Sequence, residues 1–177
     1  ALEAGIEVPE LYGVLEIPYQ VRLLSDFLEK YDEFVVKPCR GSGGEGILVF
    51  SGRMKGMYRM TDGTIMAQGE LNHHVLSTMR RVDSLGGHSD KVLVEYRVRF
   101  DSVFEAVSYL GVPDIRIIVF QGVPVMSMVR LPTRMSEGKA NLHQGAMGAG
   151  IDIATGITFA GVWQDQSVEE HPDTGNS

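Results

Sequence analysis

Phe34-Val-Val-Lys-Pro-Cys-Arg-Gly-Ser-Gly-Gly-Glu-Gly-Ile-Leu-Val-Phe50 is the stretch from which the chain is best read. An apolar run ends in Lys37, Gly41-Ser-Gly-Gly-Glu-Gly46 follows, and a second apolar run opens at Ile47. Short apolar runs bounded by glycine predict a strand on each flank. The glycines then occupy the tip of a β-hairpin and not the N-terminus of a helix. Gly41, Gly43, Gly44 and Gly46, with Ser42 among them, let the backbone take positive φ and approach a bulky anion. A concave run of N–H groups in such a turn can hold phosphate oxygens, and Lys37 adds a fixed positive charge near the same place. The chemistry suggested is binding of a nucleotide triphosphate.

Three other glycine loops are separated by their flanks. A P-loop needs Gly-Lys-Ser/Thr and a helix, whereas Gly46 is followed by Ile47-Leu-Val-Phe50. A dinucleotide fingerprint also needs a helix after the glycines. A protein-kinase loop does lie between strands, and Gly41-x-Gly43-x-x-Gly46 fits its spacing, yet no His-Arg-Asp or Asp-Phe-Gly follows. A glycine-rich turn without any ligand is the plain alternative.

Outward from the hairpin, Tyr19 to Tyr31 reads as a helix with Val21, Leu24, Phe27, Leu28 and Tyr31 near one face. Residues 51–70 read as a β-ribbon turning at Thr61-Asp-Gly63. Leu71 to Leu85 predicts a second helix, with Leu71, Val75, Met79 and Val82 in register and Gly86-Gly87 to stop it. Val92 to Phe100 predicts a strand, and 101–111 is a loop with a short helical turn. Ile115–Phe120 and Val123–Leu131 flank Gln121-Gly122, a two-residue hairpin turn. Ile151–Ala154 and Ile157–Ala160 flank Thr155-Gly156, a further hairpin. Two early helices and late antiparallel hairpins give an α+β architecture.

Four ordered motifs carry a resemblance. Lys37-Pro38 with the glycine loop resembles the ATP-grasp superfamily of carboxylate–amine ligases. Val92-Leu-Val-Glu-Tyr96 is similar to that superfamily's adenine-binding strand. Asp114-Ile-Arg116 and Lys139-Ala-Asn-Leu-His-Gln-Gly145 look like motifs of the ligases that add glutamate to a ribosomal protein. Pro-Glu-Leu-Tyr-Gly (9–13), Val-Arg-Phe-Asp (98–101) and His-Pro-Asp-Thr-Gly (171–175) extend the likeness to the alpha-L-glutamate ligase-like proteins over essentially the whole chain.

The resemblance implies a fold in which two α+β subdomains with mainly antiparallel sheets clamp a nucleotide. The glycine hairpin serves as lid and the later sheet as floor. Residues 19–95 are expected to form the N-terminal subdomain and 96–177 part of the C-terminal one, with 1–18 left from a preceding region. Lys37 and the loop (Gly41, Ser42, Gly43, Gly44, Gly46) would take the phosphates, Glu95 and Tyr96 the adenine, and Asp114 the ribose. Lys139 and Asn141 would also contact ATP. Arg116 and Arg130, arginines on otherwise apolar strands, suit the carboxylate or acyl phosphate, with Asn141 beside them. A structural ion pair or a wet sheet face explains those arginines equally well. His143 reads as a turn-stabilising residue or as a neighbour of the reacting phosphoryl group.

By the same resemblance the implied reaction is ATP-dependent amide or peptide bond formation, a carbon–nitrogen ligase step that releases ADP. Its partners are ATP, a carboxylate substrate and an amine acceptor. The expected cofactor besides ATP is Mg2+, held in complete family members by an acid and a Glu-x-Asn pair downstream of the motifs seen here. The chain opens on Ala1-Leu-Glu-Ala-Gly5, which reads like the end of a helix, and closes on a polar, turn-rich stretch. An incomplete region with weak or no turnover is therefore expected. A non-catalytic ATP-binding or regulatory module would look the same, and the Glu-x-Asn pair would discriminate. Glu70-Leu-Asn72 has that spelling, but it precedes the adenine-type strand and runs into a helix. Its neighbours His73 and His74 are adjacent on that helix and so do not share a face.

Composition narrows the class further. With 44% hydrophobic and 22% charged residues the chain is an ordinary globular one. A net charge of −7 argues against a general nucleic-acid surface and makes any phosphate site depend on local positive charge. No apolar run approaches membrane-spanning length. A single cysteine, Cys39, allows no internal disulfide and fits a reducing, cytoplasmic setting.

Overall fold

The computed structural model describes residues 2–41, 43–80 and 90–177. The chain divides into two compact units, Ala1–Val98 and Arg99–Ser177. The α+β class is observed: two antiparallel sheets with few helices.

In the first unit six strands, β1 (Leu11–Leu15), β2 (Phe34–Pro38), β3 (Leu48–Met54), β4 (Met57–Met60), β5 (Ile65–Met66) and β6 (Val92–Glu95), pair in the order β1-β6-β2-β3-β4-β5. Period-two alternation puts Phe34, Val36, Val92 and Val94 on one face, where all four are buried. Helices α1 (Leu24–Leu28) and α2 (Gln68–Arg80) cover that face with Leu24, Leu28, Leu71, Val75 and Met79. Phe34, Phe50 and Tyr58 form its aromatic centre, with ring centroids 4.7–5.5 Å apart. The Ala67 N–H donates to the Glu70 carboxylate at 2.8 Å, supplying one of the donors that a helix start leaves open. Glu70 is thus a capping residue.

Several boundaries differ from expectation. The Tyr19–Tyr31 helix is a 3₁₀ segment, Pro18–Leu23, running into the short α1. Its inward face is as read: Val21, Leu24 and Leu28 are buried and Phe27 and Tyr31 pack against them. The Arg53 guanidinium occupies the carbonyls where the helix ends: it donates to the Leu28 carbonyl and, at 3.3 Å, to that of Tyr31. The Val92–Phe100 strand stops at Glu95, which faces Leu11, the first residue of β1, on one side and Val35 on the other. Leu11–Leu15, within the stretch expected to be a remnant, is a strand of this sheet. The second helix begins at Gln68, and its expected end at 81–87 lies outside the described residues.

The second unit is a five-stranded sheet in the order β11-β10-β9-β8-β7: β7 (Asp114–Phe120), β8 (Val123–Leu131), β9 (Met147–Ile151), β10 (Thr158–Trp163) and β11 (Gln166–Val168). The β7–β8 turn is Gln121-Gly122 as read, with φ of 50° and 82°. The next hairpin is wider than Thr155-Gly156, because the Asp152 carboxylate accepts from the amides of Ala154 and Thr155 and from the Thr155 hydroxyl. Those bonds hold the Asp152 carboxyl below its ordinary pKa. Val129, Leu131, Met147 and Ala149 form the small core of this unit, with Trp163 against it.

Phe34→Ala should lower the stability of the first unit by about 3–5 kcal/mol, because the aromatic centre cannot collapse onto the void. Urea unfolding followed by circular dichroism measures this. A loss below about 1 kcal/mol would mean that the packing is looser than described.

Candidate functional site

In the first unit the site grows from β2, β6 and the loop after β2. Because Phe34 and Val36 point into the core, Lys37 projects from the opposite face, beside Glu95 on β6. Lys37 Nζ and Glu95 Oε1 are 2.5 Å apart, with side-chain exposures of 32% and 13%. The pair is wet on the lysine side and drier on the glutamate side. A partly exposed pair of this kind contributes about 1 kcal/mol or less, so another anion can displace the carboxylate at small cost.

The glycine loop between β2 and β3 is pinned at both ends. At its entrance the Cys39 N–H donates to the Lys91 carbonyl at 2.8 Å, and the Arg40 N–H donates to the Asp90 carboxylate at 3.0 Å. Asp90 is buried and also accepts from the Lys91 N–H. At the exit, His74 Nε2 on α2 lies 3.0 Å from the Gly46 carbonyl oxygen. Between these anchors Gly43, Gly44 and Gly46 have φ of 65°, 80° and 76°, a region that side chains with a Cβ rarely adopt. Gly41 is required for a different reason: a Cβ there would fall 2.5 Å from the Pro38 ring. Ser42 lies outside the described residues.

Glu95 and Tyr96, expected at the adenine, are both engaged. The Glu95 carboxylate pairs with Lys37, and the Tyr96 N–H donates to the Glu10 carbonyl at 2.8 Å. While β1 stays in place, that amide is not offered to a base edge.

In the second unit one sheet face collects most of the remaining motif residues. Asp114 on β7, Arg130 on β8 and Gly148 on β9 stand in one cross-strand row, and Arg116, Met128 and Gly150 form the next. The Arg130 guanidinium bonds to the Asp114 carboxylate, while its Nε is buried without a hydrogen-bond partner. Arg116 is exposed and forms no ion pair among the described residues. The two explanations left open for these arginines are thus both realised, a structural pair at Arg130 and a wet face at Arg116. Leu142 reaches the same face, since a Cβ on Gly148 would meet its side chain at 3.0 Å. The Asn141 carboxamide accepts from the His143 N–H at 3.1 Å and shapes the turn. Lys139 pairs with Glu137 at 3.6 Å.

Three positioning residues escaped the sequence reading: Asp90, His74 and His171. Asp90 was an acid before a strand, and His74 one of two adjacent helical histidines. Their partners lie 50 and 28 residues away, and no local pattern announces such contacts. His171 opens the polar tail yet is buried, its Nε2 3.0 Å from the Pro132 carbonyl oxygen and its Nδ1 accepting from the Asp173 N–H. Asp173 in turn accepts from the Arg134 N–H at 2.6 Å. The tail therefore fastens the turn that leads into the Lys139–Gly145 motif.

Glu95→Gln should tighten ATP binding about threefold to tenfold, because it removes both a competitor for Lys37 and a charge that repels phosphate. Calorimetric titration of ATP into parent and variant measures this. Weaker binding by the variant would show instead that the Glu95 carboxylate touches the nucleotide.

A family model described as sugar-transfer associated ATP-grasp matches residues 1–177. No curated protein and no solved structure matches the chain. ATP-grasp proteins bind ATP and generally couple it to ligase-type or transferase chemistry. With its glycine hairpin and Lys37 on one unit and a second antiparallel sheet on the other, this chain belongs to the sugar-transfer associated ATP-grasp family.

Proposed function

We propose that the chain is the nucleotide-binding region of an ATP-dependent carboxylate–amine ligase, related to the glutamate ligase-like proteins. The observation that carries this reading is Lys37, held beside a pinned glycine loop by a single exchangeable carboxylate.

In the first half-reaction a substrate carboxylate oxygen attacks the γ-phosphorus of ATP. The bond from that phosphorus to the β,γ-bridging oxygen breaks, giving an acyl phosphate and ADP. In the second half an amine nitrogen attacks the acyl carbon, the carbon–nitrogen bond forms, and phosphate leaves as the nitrogen loses a proton. Phosphoryl transfer asks a protein for position and charge neutralisation more than for covalent chemistry. Lys37 would exchange Glu95 for phosphate oxygens, and the amides of the glycine loop would close over the terminal phosphates. On the second unit, Arg116 would receive the carboxylate as a planar fork, and Arg130 would turn its free Nε toward the acyl phosphate. Asn141 and Lys139 would hold the nucleotide's polar edge, and Asp114 its ribose.

Magnesium, when bound, would supply neutralisation of the charge on the phosphates. Among the described residues no three histidine, cysteine or acidic side chains converge as metal ligands. Lys37 and the arginines are the cations that these units would bring to the same neutralisation. The family's association with sugar transfer makes an amino sugar or a sugar acid a substrate class to test beside amino acids.

The first test is calorimetric titration with ATP, with and without magnesium, on the parent and on Lys37→Ala. Binding by the parent that weakens at least tenfold in the variant is the expected result, since a charge-assisted contact to phosphate contributes about 1.5–3 kcal/mol. A folded parent that binds no ATP would remove the basis of the proposal. ADP release from the complete protein, dependent on both a carboxylate and an amine, would then identify the ligase step.

A further inference from the structure

The helical layer of the first unit carries a second concavity. It is a cavity of about 420 Å³ between the 3₁₀ segment Pro18–Leu23 and α2. Since α2 packs on the core face of the sheet and Lys37 projects from the other face, the cavity is separate from the nucleotide position proposed above. Its floor is apolar, with Val21 buried in the core cluster and Leu76 packed against it.

The walls carry donors. Arg22 stands on one wall, its guanidinium carbon 5.5 Å from the centre of the Tyr19 ring. Asn72, Leu76 and Arg80 follow one another at i, i+4 and i+8 on α2, so Asn72 and Arg80 line the other wall. Neither Arg22 nor Arg80 forms an ion pair among the described residues, although acidic residues outnumber basic ones 23 to 16. Among the described residues that line the cavity there is no carboxylate.

The orientation of Asn72 is set from inside the core. The buried Tyr58 hydroxyl donates to Gln68 Oε1, and Gln68 Nε2 donates to Asn72 Oδ1 at 2.8 Å. Burial pushes the Tyr58 phenol up, so it remains protonated and a donor. This relay uses the carbonyl side of the Asn72 carboxamide and leaves its NH2 group as a donor. Two guanidinium groups, an amide donor, an exposed aromatic ring and an apolar floor together match one class of ligand.

We propose that this cavity binds a small phosphate monoester with an apolar or ring-shaped body, the phosphate held by Arg22, Arg80 and Asn72 and the body seated on Tyr19, Val21 and Leu76. Arginine forks suit phosphate oxygens, and the ring supplies stacking that water does not replace. The site is independent of the nucleotide reading and stands even if Lys37 binds nothing.

Phenyl phosphate is the probe, titrated into the 15N-labelled chain and followed by amide shifts. Phenol, which lacks the charge, and inorganic phosphate, which lacks the ring, serve as comparison probes. The expected result is saturable shifts confined to 19–23 and 72–80, binding tighter than for either comparison probe, and no change on Lys37→Ala. Arg22→Gln with Arg80→Gln should weaken binding at least tenfold, the loss expected for two charge-assisted contacts. Both side chains are exposed, so the fold is retained. Asn72→Asp, which brings a negative charge to the wall, should abolish binding as well. Shifts confined to the glycine loop and lost on Lys37→Ala would overturn the proposal. Equal binding of phenol, or full affinity in the arginine variant, would do the same.

Discussion

The alternation of side chains along β2 and β6 is the constraint on which the first unit depends. Phe34, Val36, Val92 and Val94 must face the helices, because each buried apolar side chain contributes about 1.5–3 kcal/mol that solvent exposure would forfeit. Period two then sends Lys37 and Glu95 to the other face together. Slipping either strand by one residue would bury a lysine or a glutamate in the aromatic centre. The burial that holds the sheet together therefore also fixes where the charge of Lys37 emerges.

The glycine loop follows from the same frame by a different principle. Positive φ at Gly43, Gly44 and Gly46 gives the backbone its shape, but glycine also makes the unfolded chain more flexible and the ordered loop costlier. The fold offsets this by fixing the ends and leaving the middle to its dihedral angles. Asp90 accepts the Arg40 amide at the entrance, and His74 meets the Gly46 carbonyl at the exit. His74 lies on α2 and the buried Asp90 two residues before β6, so the loop inherits its position from both. In the second unit His171 plays a comparable part for the turn before Asn141.

The elements most legible in the sequence were those whose signal is local. The Gln121-Gly122 turn, the strands around the glycine loop and the Leu71, Val75, Met79 stripe each depend on residues a few positions apart, and each was found in place. The boundaries that moved were set by distant partners. β6 ends at Glu95, opposite the first residue of β1, and α1 ends where Arg53 caps it. The site was legible as a set of residue types but not as a set of partners. Lys37 was read as a charge for phosphate and Arg130 as either an anion contact or half of an ion pair; the structure gives each a carboxylate, and only the three-dimensional pairing reveals which one. The Ile115, Ile117, Val119 and Phe120 run shows the converse. Its apolar character predicted a strand correctly, yet the side chains stay exposed because no described element of the second unit covers them.

Charge explains why this pairing suits a binding site. In a chain of net charge −7, an unpaired lysine that waited for phosphate would leave the dry side of β6 with an unneutralised glutamate. Pairing the two stabilises the empty state, and on the proposed reading phosphate binding at Lys37 becomes an exchange of anions. The gain is then the difference between a phosphate contact and a carboxylate contact, not the full strength of either. Arg130 and Asp114 repeat the arrangement on the second sheet, where the unpartnered Nε keeps part of the guanidinium open. Arg116, Arg22 and Arg80 have no such carboxylate among the described residues and remain exposed, open to solvent and, on the readings proposed, to an anion. Paired cations favour selectivity, since only a multiply charged ligand can outbid the resident carboxylate. Solvated arginines impose no such threshold and accept weaker anions, and the fold contains both kinds on separate surfaces of its first unit.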